Sequence, residues 1–258
     1  MGQRIFRDIQ QKQKYCKEDI ELFENNVKCV REYMDSFLFK ETWYKDDKLH
    51  REQKYDTIDL PARVNYSFQT NKPKEEEWFV DGKRHRDPKI EHSGEINDLP
   101  AWIKYKNGIK IEEHYFKNNV HHRDGDLPCR IEYYENGNKK IENWCKNGKR
   151  HRDPKIELSG EINYLPASIK YYENGNKEIE AWYQNDVWHR DNSQLIDGVT
   201  IDFPAGIMYC KNGKKAREDW VKNGIHQKII NYEYKFRTFT DSNKTFFKCE
   251  TEVWEPIE

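Results

Sequence analysis

Long apolar runs are missing from this 258-residue chain: 35% of it is hydrophobic, and no stretch approaches the length needed to span a membrane. Excess charge of one sign is missing too. The formal net charge is −1, and the cluster at Lys146 to Arg150 is followed at once by Asp153 and Glu157, so no basic stripe offers itself to a phosphate backbone and no nucleic acid is expected. The six cysteines, Cys16, Cys29, Cys129, Cys145, Cys210 and Cys249, show no CxxC pair and no regular spacing. They read as reduced thiols in a cytosol-like compartment, with neither a zinc site nor a disulfide framework, and no cofactor is implied. The start "MGQRIF" has no signal-peptide core and no Ser or Thr at position 6 for myristoylation, so the chain reads as not secreted.

What is present is charge and aromatic surface together. Charged residues make up 35% of the chain, beside 8 tryptophans, 16 tyrosines and 12 phenylalanines. Low hydrophobicity alone would point to disorder, but disordered chains lack aromatics and carry excess charge. The combination predicts a fold held by thin aromatic packing, as in arrays whose units touch only their neighbours.

A period supports this. The phrase "GKRHRDPKIEHSGEIN" begins at Gly82 and returns at Gly148 with Leu158 in place of His92. Leu-Pro pairs start at Leu60, Leu99, Leu127 and Leu165, with Phe203-Pro204 as a variant, and an aromatic follows 16 to 18 residues later at Trp78, Tyr115, Trp144, Trp182 and Trp220. From Trp43, Trp78, Tyr115, Trp144 and Trp182 it is seven residues each time to a histidine, namely His50, His85, His122, His151 and His189, and each histidine precedes an arginine. Only the next stretch varies: His-Arg to Leu-Pro takes 14 residues from His85, His151 and His189, ten from His50 and five from His122. The short "HRDGDLP" is the basic unit, and "PKIELSGEI" is an insertion in it.

Each unit reads as a β-hairpin. Ala62, Val64 and Tyr66 alternate with polar neighbours, as do Ala101, Ile103, Tyr105, then Cys129, Ile131, Tyr133, then Ala167, Ile169, Tyr171, and finally Ala205, Ile207, Tyr209. The first strands run into Asn-Gly at Asn107, Asn136, Asn174 and Asn212, a strong hairpin signal because both residues tolerate positive φ. A three-residue loop at Asn174–Asn176 would place Tyr171 opposite Ile179 and Lys170 opposite Glu180.

The ends differ. Ile5, Ile9, Cys16, Ile20, Phe23 and Val27 fall three, four or seven apart, which predicts an amphipathic helix over residues 1–27. It reads either as a lid on the first hairpin or as a dimerisation or docking element. Residues 28–226 are the repeats, beginning with a worn hairpin in "CVREYMDSFLFKETW", and residues 227–258 form a capping hairpin turning at Asp241 to Lys244. Atypical end units protect strand edges. A homodimer could form through the helix or an end cap.

His151-Arg152-Asp153 matches the tripeptide of a kinase catalytic loop, but the companion asparagine is absent, since Leu158 and His92 stand at that place in the two copies. Repetition in five units favours a structural role for His-Arg. A shared metal is disfavoured as well, because histidines on successive units lie about 10 Å apart, two strand spacings. The tryptophans could form a carbohydrate or methyl-lysine platform, yet one per unit at a constant place is better read as packing. A buried tryptophan removes about 150–250 Å² from water, roughly 4–6 kcal/mol gross, against about 0–1 kcal/mol for an exposed ion pair.

The unit "YYENGNKKIENWCKNGKRHRD" resembles the MORN repeat, whose tyrosine, glycine turn, tryptophan and second glycine build hairpins into a sheet. It is most similar to the divergent MORN-like arrays with His-Arg and Leu-Pro-Ala signatures in giant DNA viruses such as marseilleviruses. The likeness covers Val27 to His226; Asp186 and Asn119 stand where glycines follow in the family, and His-Arg with a long insertion is a departure. The resemblance implies a mainly β, elongated antiparallel meander of hairpins and a non-enzymatic scaffold with an unidentified protein partner. It also implies a viral setting, in the virion or host cytoplasm, or a plain cytoplasmic one otherwise. Weak binding of phospholipid headgroups at a membrane is the alternative, and an enzyme using His-Arg-Asp comes third.

Overall fold

A computed structural model describes residues 3–11, 14–51, 59–90, 96–156, 158, 162–190, 194–196, 199–232, 235–241 and 244–250. The chain divides into two compact units, Met1–Lys149 and Arg150–Glu258. In the first, an antiparallel meander runs in chain order through Gln3–Gln11, Lys14–Leu22, Val27–Met34, Phe37–Lys45, Arg63–Tyr66, Pro73–Glu77, Trp102–Lys106, Ile109–His114, Arg130–Tyr133 and Lys139–Asn143. In the second the order is Ser168–Tyr171, Lys177–Ala181, Gly206–Tyr209, Lys215–Lys222 and Ile225–Asn231. Lys235–Asp241 and Lys244–Glu250 pair with each other as a separate two-stranded sheet, with Asp241 opposite Lys244. The protein is mainly β, as the alternation predicts.

The helix expected over 1–27 is not found: among the described residues there is no helix, and Gln3–Gln11 and Lys14–Leu22 are antiparallel strands. Their register sets Ile5 opposite Ile20 and Ile9 opposite Cys16, and the second strand continues onto the sheet with Ile20 opposite Val30. The misreading has a simple cause. Residues four apart share a face in a strand as well as in a helix, so that spacing does not separate the two periods. Phe23 follows these strands and stacks on Trp43 with ring centroids 5.4 Å apart.

The alternating face of each first strand is the core: Ala62, Val64, Ala101, Ile103, Cys129, Ile131, Ala167, Ile169, Ala205 and Ile207 are all buried. The register of the hairpin at Asn174 differs from the expected one. Tyr172 accepts from Gly175 N–H at 2.9 Å and donates to the Asn176 carbonyl at 2.8 Å, so the loop is Glu173–Gly175, one residue earlier than expected. A shift between Lys170 and Tyr171 then sets Tyr171 opposite Lys177, Lys170 opposite Ile179 and Ile169 opposite Glu180. Gly175 takes the left-handed conformation at φ 88°, the place of a G1 bulge, and Gly137 and Gly213 repeat it at 86° and 85°. At Asn107-Gly108 the same dipeptide forms a two-residue turn instead, with φ of 53° and 82° and Lys106 opposite Ile109.

Candidate functional site

After each aromatic comes a second, smaller hairpin, and it explains the seven-residue interval to histidine. Its two-residue turn has positive φ at both positions: 47° and 60° at Asp46-Asp47, 49° and 77° at Asp81-Gly82, 52° and 69° at Asn118-Asn119, and 54° and 68° at Asn185-Asp186. This is the type I′ geometry, which asparagine and aspartate adopt as well as glycine. Hence Asn119 and Asp186 can stand where glycine is expected. The turn brings histidine back beside its aromatic, so that N–H of His50, His85, His122 and His189 donates to the carbonyl of Trp43, Trp78, Tyr115 and Trp182 at 3.0–3.2 Å.

The hairpin tips also bond from rung to rung within each unit. Gly82 N–H donates to the Leu49 carbonyl, Asn119 to Arg84 and Gly148 to His121 in the first unit of the chain, and Asp186 to Arg150 and Gly224 to Trp188 in the second. Where the turn residue is not glycine its side chain adds a contact: Asn119 Oδ1 accepts from Arg84 N–H at 2.6 Å, and Asp186 Oδ1 from Arg150 N–H at 2.9 Å.

The arginine after each histidine has one repeated task. Its guanidinium lies over the aromatic of its own rung, 4.4 Å from the ring centre for Arg51 on Trp43, 3.7 Å for Arg86 on Trp78, 3.8 Å for Arg123 on Tyr115 and 4.1 Å for Arg190 on Trp182. The same group donates through Nη1 to the proline carbonyl of the next Leu-Pro, at 3.0 Å to Pro61, 2.9 Å to Pro100, 3.3 Å to Pro128, 3.2 Å to Pro166 and 3.1 Å to Pro204. The cation thus screens the aromatic from water while clamping the start of the next strand. Trp78, Tyr115, Trp144 and Trp182 are 6–7% exposed. Trp220 has no His-Arg after it; Lys228 lies 5.2 Å from its ring instead.

The histidines point two ways. Nε2 meets the aspartate two residues on, at 3.2 Å for His85–Asp87, 2.9 Å for His122–Asp124 and 3.0 Å for His151–Asp153. Nδ1 accepts the backbone N–H of a hairpin turn, from Asp81 to His50 at 3.3 Å and from Asn223 to His189 at 3.0 Å. Those aspartates are exposed, and the histidine beside each is largely covered. Among the described residues no group of three or more His, Cys, Asp or Glu is arranged to hold a metal ion. Successive rungs leave similar clefts: about 250 Å³ between His50, Arg51, Trp78 and Arg86, and about 210 Å³ between His85, Arg86, Tyr115 and Arg123.

The sequence reading missed a column of glutamates two residues before each aromatic: Glu41, Glu76, Glu113, Glu142, Glu180 and Glu218. The last four are buried. Across the sheet they alternate with the aliphatic core, Val64 opposite Glu76, Glu76 opposite Ile103, Ile103 opposite Glu113 and Glu113 opposite Ile131. A carboxyl group at such depth needs hydrogen bonds. The recurrent tyrosine supplies one: Tyr105 donates to Glu76 at 2.7 Å, Tyr133 to Glu113 at 2.7 Å, Tyr209 to Glu180 at 2.5 Å and Tyr232 to Glu218 at 2.6 Å. A lysine three residues upstream supplies the second, Lys110 to Glu113, Lys139 to Glu142, Lys177 to Glu180 and Lys215 to Glu218, at 2.5–2.6 Å. Burial, then the bond to glutamate, raises the phenols of Tyr105, Tyr133 and Tyr209 above the ordinary tyrosine range, and burial pushes Tyr115 up to about 12. They remain proton donors throughout the physiological range. The signal for this column, Glu two before the aromatic, lay in plain sight; the one-residue register error hid it, because a slip of one turns every side chain to the other face.

The cysteines need correction as well. Cys129 and Cys145 are joined in a disulfide, whereas all six were expected to be reduced thiols. Cys129 takes the place of the strand-leading alanine and Cys145 follows Trp144, and the pairing of Arg130 with Asn143 carries both to the same end of one hairpin. Their separation of 16 residues matches no motif, so only the register identifies them. Cys16, Cys29 and Cys210 lie outside that disulfide, and burial pushes the Cys29 thiol up to about 12.

No protein-family model, no curated protein and no solved structure matches this chain.

Proposed function

We propose that this chain is a non-enzymatic, MORN-like repeat scaffold that docks a protein partner along its rungs, in the viral structural or host-interaction setting that the resemblance implies. The observation that carries the reading is the arginine clamp. Each His-Arg closes the connection to the next Leu-Pro through the proline carbonyl, whether that connection is short, as from Arg123 to Pro128, or long, as from Arg86 to Pro100. The frame is therefore constant while the exposed connections are free to differ, which is how repeat arrays present binding surfaces. The clefts repeated one rung apart give a partner regularly spaced footholds. In the copies at His85, His122 and His151 the His-Arg-Asp side chains are occupied in frame contacts, which favours structure over catalysis for that motif.

The test replaces residues 87–98 and 153–164 by Asp-Gly-Asp, the short connection found after Arg123. The grafted protein is expected to melt within a few degrees of the wild type, because every clamp is retained, and to lose at least tenfold in affinity for the partner that co-purifies stoichiometrically with the wild type. Wild-type affinity in the graft would remove the connections from docking. A wild-type chain that holds no stoichiometric partner in the cells that make it would overturn the scaffold reading.

A further inference from the structure

One residue before each aromatic and six after it stand two positions on the sheet face opposite the glutamate column. At the Trp78 rung they are Glu77 and Arg84, an ion pair; at the Trp220 rung Asp219 and His226 lie 3.9 Å apart; at the Trp182 rung they are Ala181 and Trp188. At the Tyr115 rung both are histidines. His114 ends the strand Ile109–His114, and His121 ends the small hairpin Phe116–Lys117/Val120–His121.

Their nitrogens form a chain with a defined polarity. His114 Nε2 lies 2.8 Å from Glu112 Oε1, and His114 Nδ1 lies 3.1 Å from His121 Nε2. Glu112 accepts, so the proton of neutral His114 belongs on Nε2, its Nδ1 carries a lone pair, and His121 Nε2–H donates to it. A second proton on His114 would have to sit on Nδ1. Neutral His121 can meet it by carrying its own hydrogen on Nδ1 and accepting at Nε2, so two N–H groups face each other across a hydrogen-bond distance only once both rings are protonated.

The carboxylate that faces the pair, Glu112, is shared with a cation. Arg130, on the next strand, reaches Glu112 at 2.9 Å and Glu132 at 2.6 Å, and Lys140 approaches Glu132 at 3.5 Å. Arg84 comes from the small hairpin of the preceding rung and stacks 5.4 Å from the Phe116 ring. Trp102 lies 4.6 Å from His114 and Phe116 lies 4.2 Å from His121, ring to ring. The carboxyl groups near the pair are thus already engaged by Arg130 and Lys140, and the remaining neighbours are cations and apolar rings. We propose that His114 and His121 form a proton-operated latch: while at least one ring is neutral they hold the small hairpin Phe116–His121 against the sheet, and protonation of both releases it.

The sign of the dependence comes from burial. Burial lowers His114, and burial with His114 alongside lowers His121 to about 4, so both titrate below the value of about 6.5 for an open chain. The latch contributes fully above about 6.5 and is lost as pH falls toward 4 through the folded-state range. What it releases is a rung-to-rung joint, since the hairpin donates from Asn119 N–H to Arg84 and accepts Gly148 N–H at His121.

Hydrogen exchange at the amides of Asn119 and His122, corrected for intrinsic pH dependence, tests the latch in the full chain between pH 7.5 and 3.5. At least tenfold faster corrected exchange at the low end is expected for these two amides, with no such gain at His189, whose rung has Ala181 and Trp188 in this place. His121→Phe, which keeps a ring beside Phe116, should abolish the acceleration. Imidazole resonances followed through the same titration give a second reading that needs no variant. Equal acceleration in wild type and His121→Phe overturns the proposal, and so does wild-type protection that stays flat while both imidazoles titrate.

Discussion

Tyr115 and Trp182 head equivalent rungs, one in each unit of the chain, and they agree on one face of the sheet and disagree on the other. On the shared face each has an arginine stacked on the ring, Arg123 or Arg190, a proline carbonyl held by that arginine, and a buried glutamate two residues back that accepts from a tyrosine. On the opposite face one has the imidazole pair and the other has Trp188, whose Nε1 donates to the Ala205 carbonyl at 2.8 Å. The difference teaches that one face specifies the frame while the other can be rewritten, provided both members of a pair change together. Gly206 shows the coupling. A Cβ there would overlap the Trp188 ring at Cζ2, whereas Arg63, Trp102, Arg130 and Ser168 all carry a Cβ at the equivalent place of the other hairpins.

The comparison breaks most severely at the ring itself. Trp182→Ala should cost about 3–5 kcal/mol, the usual range for truncating a core tryptophan, and a thermal melt beside a Tyr115→Ala melt would read it; a fully stable Trp182→Ala protein would contradict the aromatic frame. A smaller effect tests the other face. Gly206→Ala should cost about 1–3 kcal/mol through overpacking, and pairing it with Trp188→Ala should cost less than the sum of the two changes, because the clash disappears with the indole. Strict additivity in a double-mutant cycle would show that Gly206 answers to something else. The smallest effect is expected where His-Arg-Asp looks most like chemistry. Asp153→Asn and Asp87→Asn each remove an exposed partner of a histidine and should shift stability by about 1 kcal/mol or less, alike in both copies; a large change in only one would single out that copy for a role beyond the frame.

Much of the frame was legible in the chain's own periodicity. The interval from aromatic to histidine could be counted, and it turned out to be the length of a hairpin closed by a type I′ turn. The Ala-x-aliphatic face could be read from its alternation, and those residues are buried. Asn-Gly announced turns at the right places but not their type, since Asn107-Gly108 and Asn174-Gly175 close different loops. Turn type depends on the strands being joined as well as on the dipeptide. That ambiguity of one residue was enough to conceal the glutamate column, because alternation magnifies a slip into an exchange of faces.

Local pattern alone determined the repeat, its aromatic ladder and its predominantly β character, because these depend on periodicity and on which residues tolerate positive φ. Only the tertiary structure decided that Gln3–Gln11 and Lys14–Leu22 pair as strands, that Cys129 meets Cys145, that tyrosine reaches across to glutamate and that two histidines share a hydrogen bond. Each of these joins positions brought together by register between strands. Register is a cooperative property of neighbouring strands and their bulges, and no single stretch of the chain carries it.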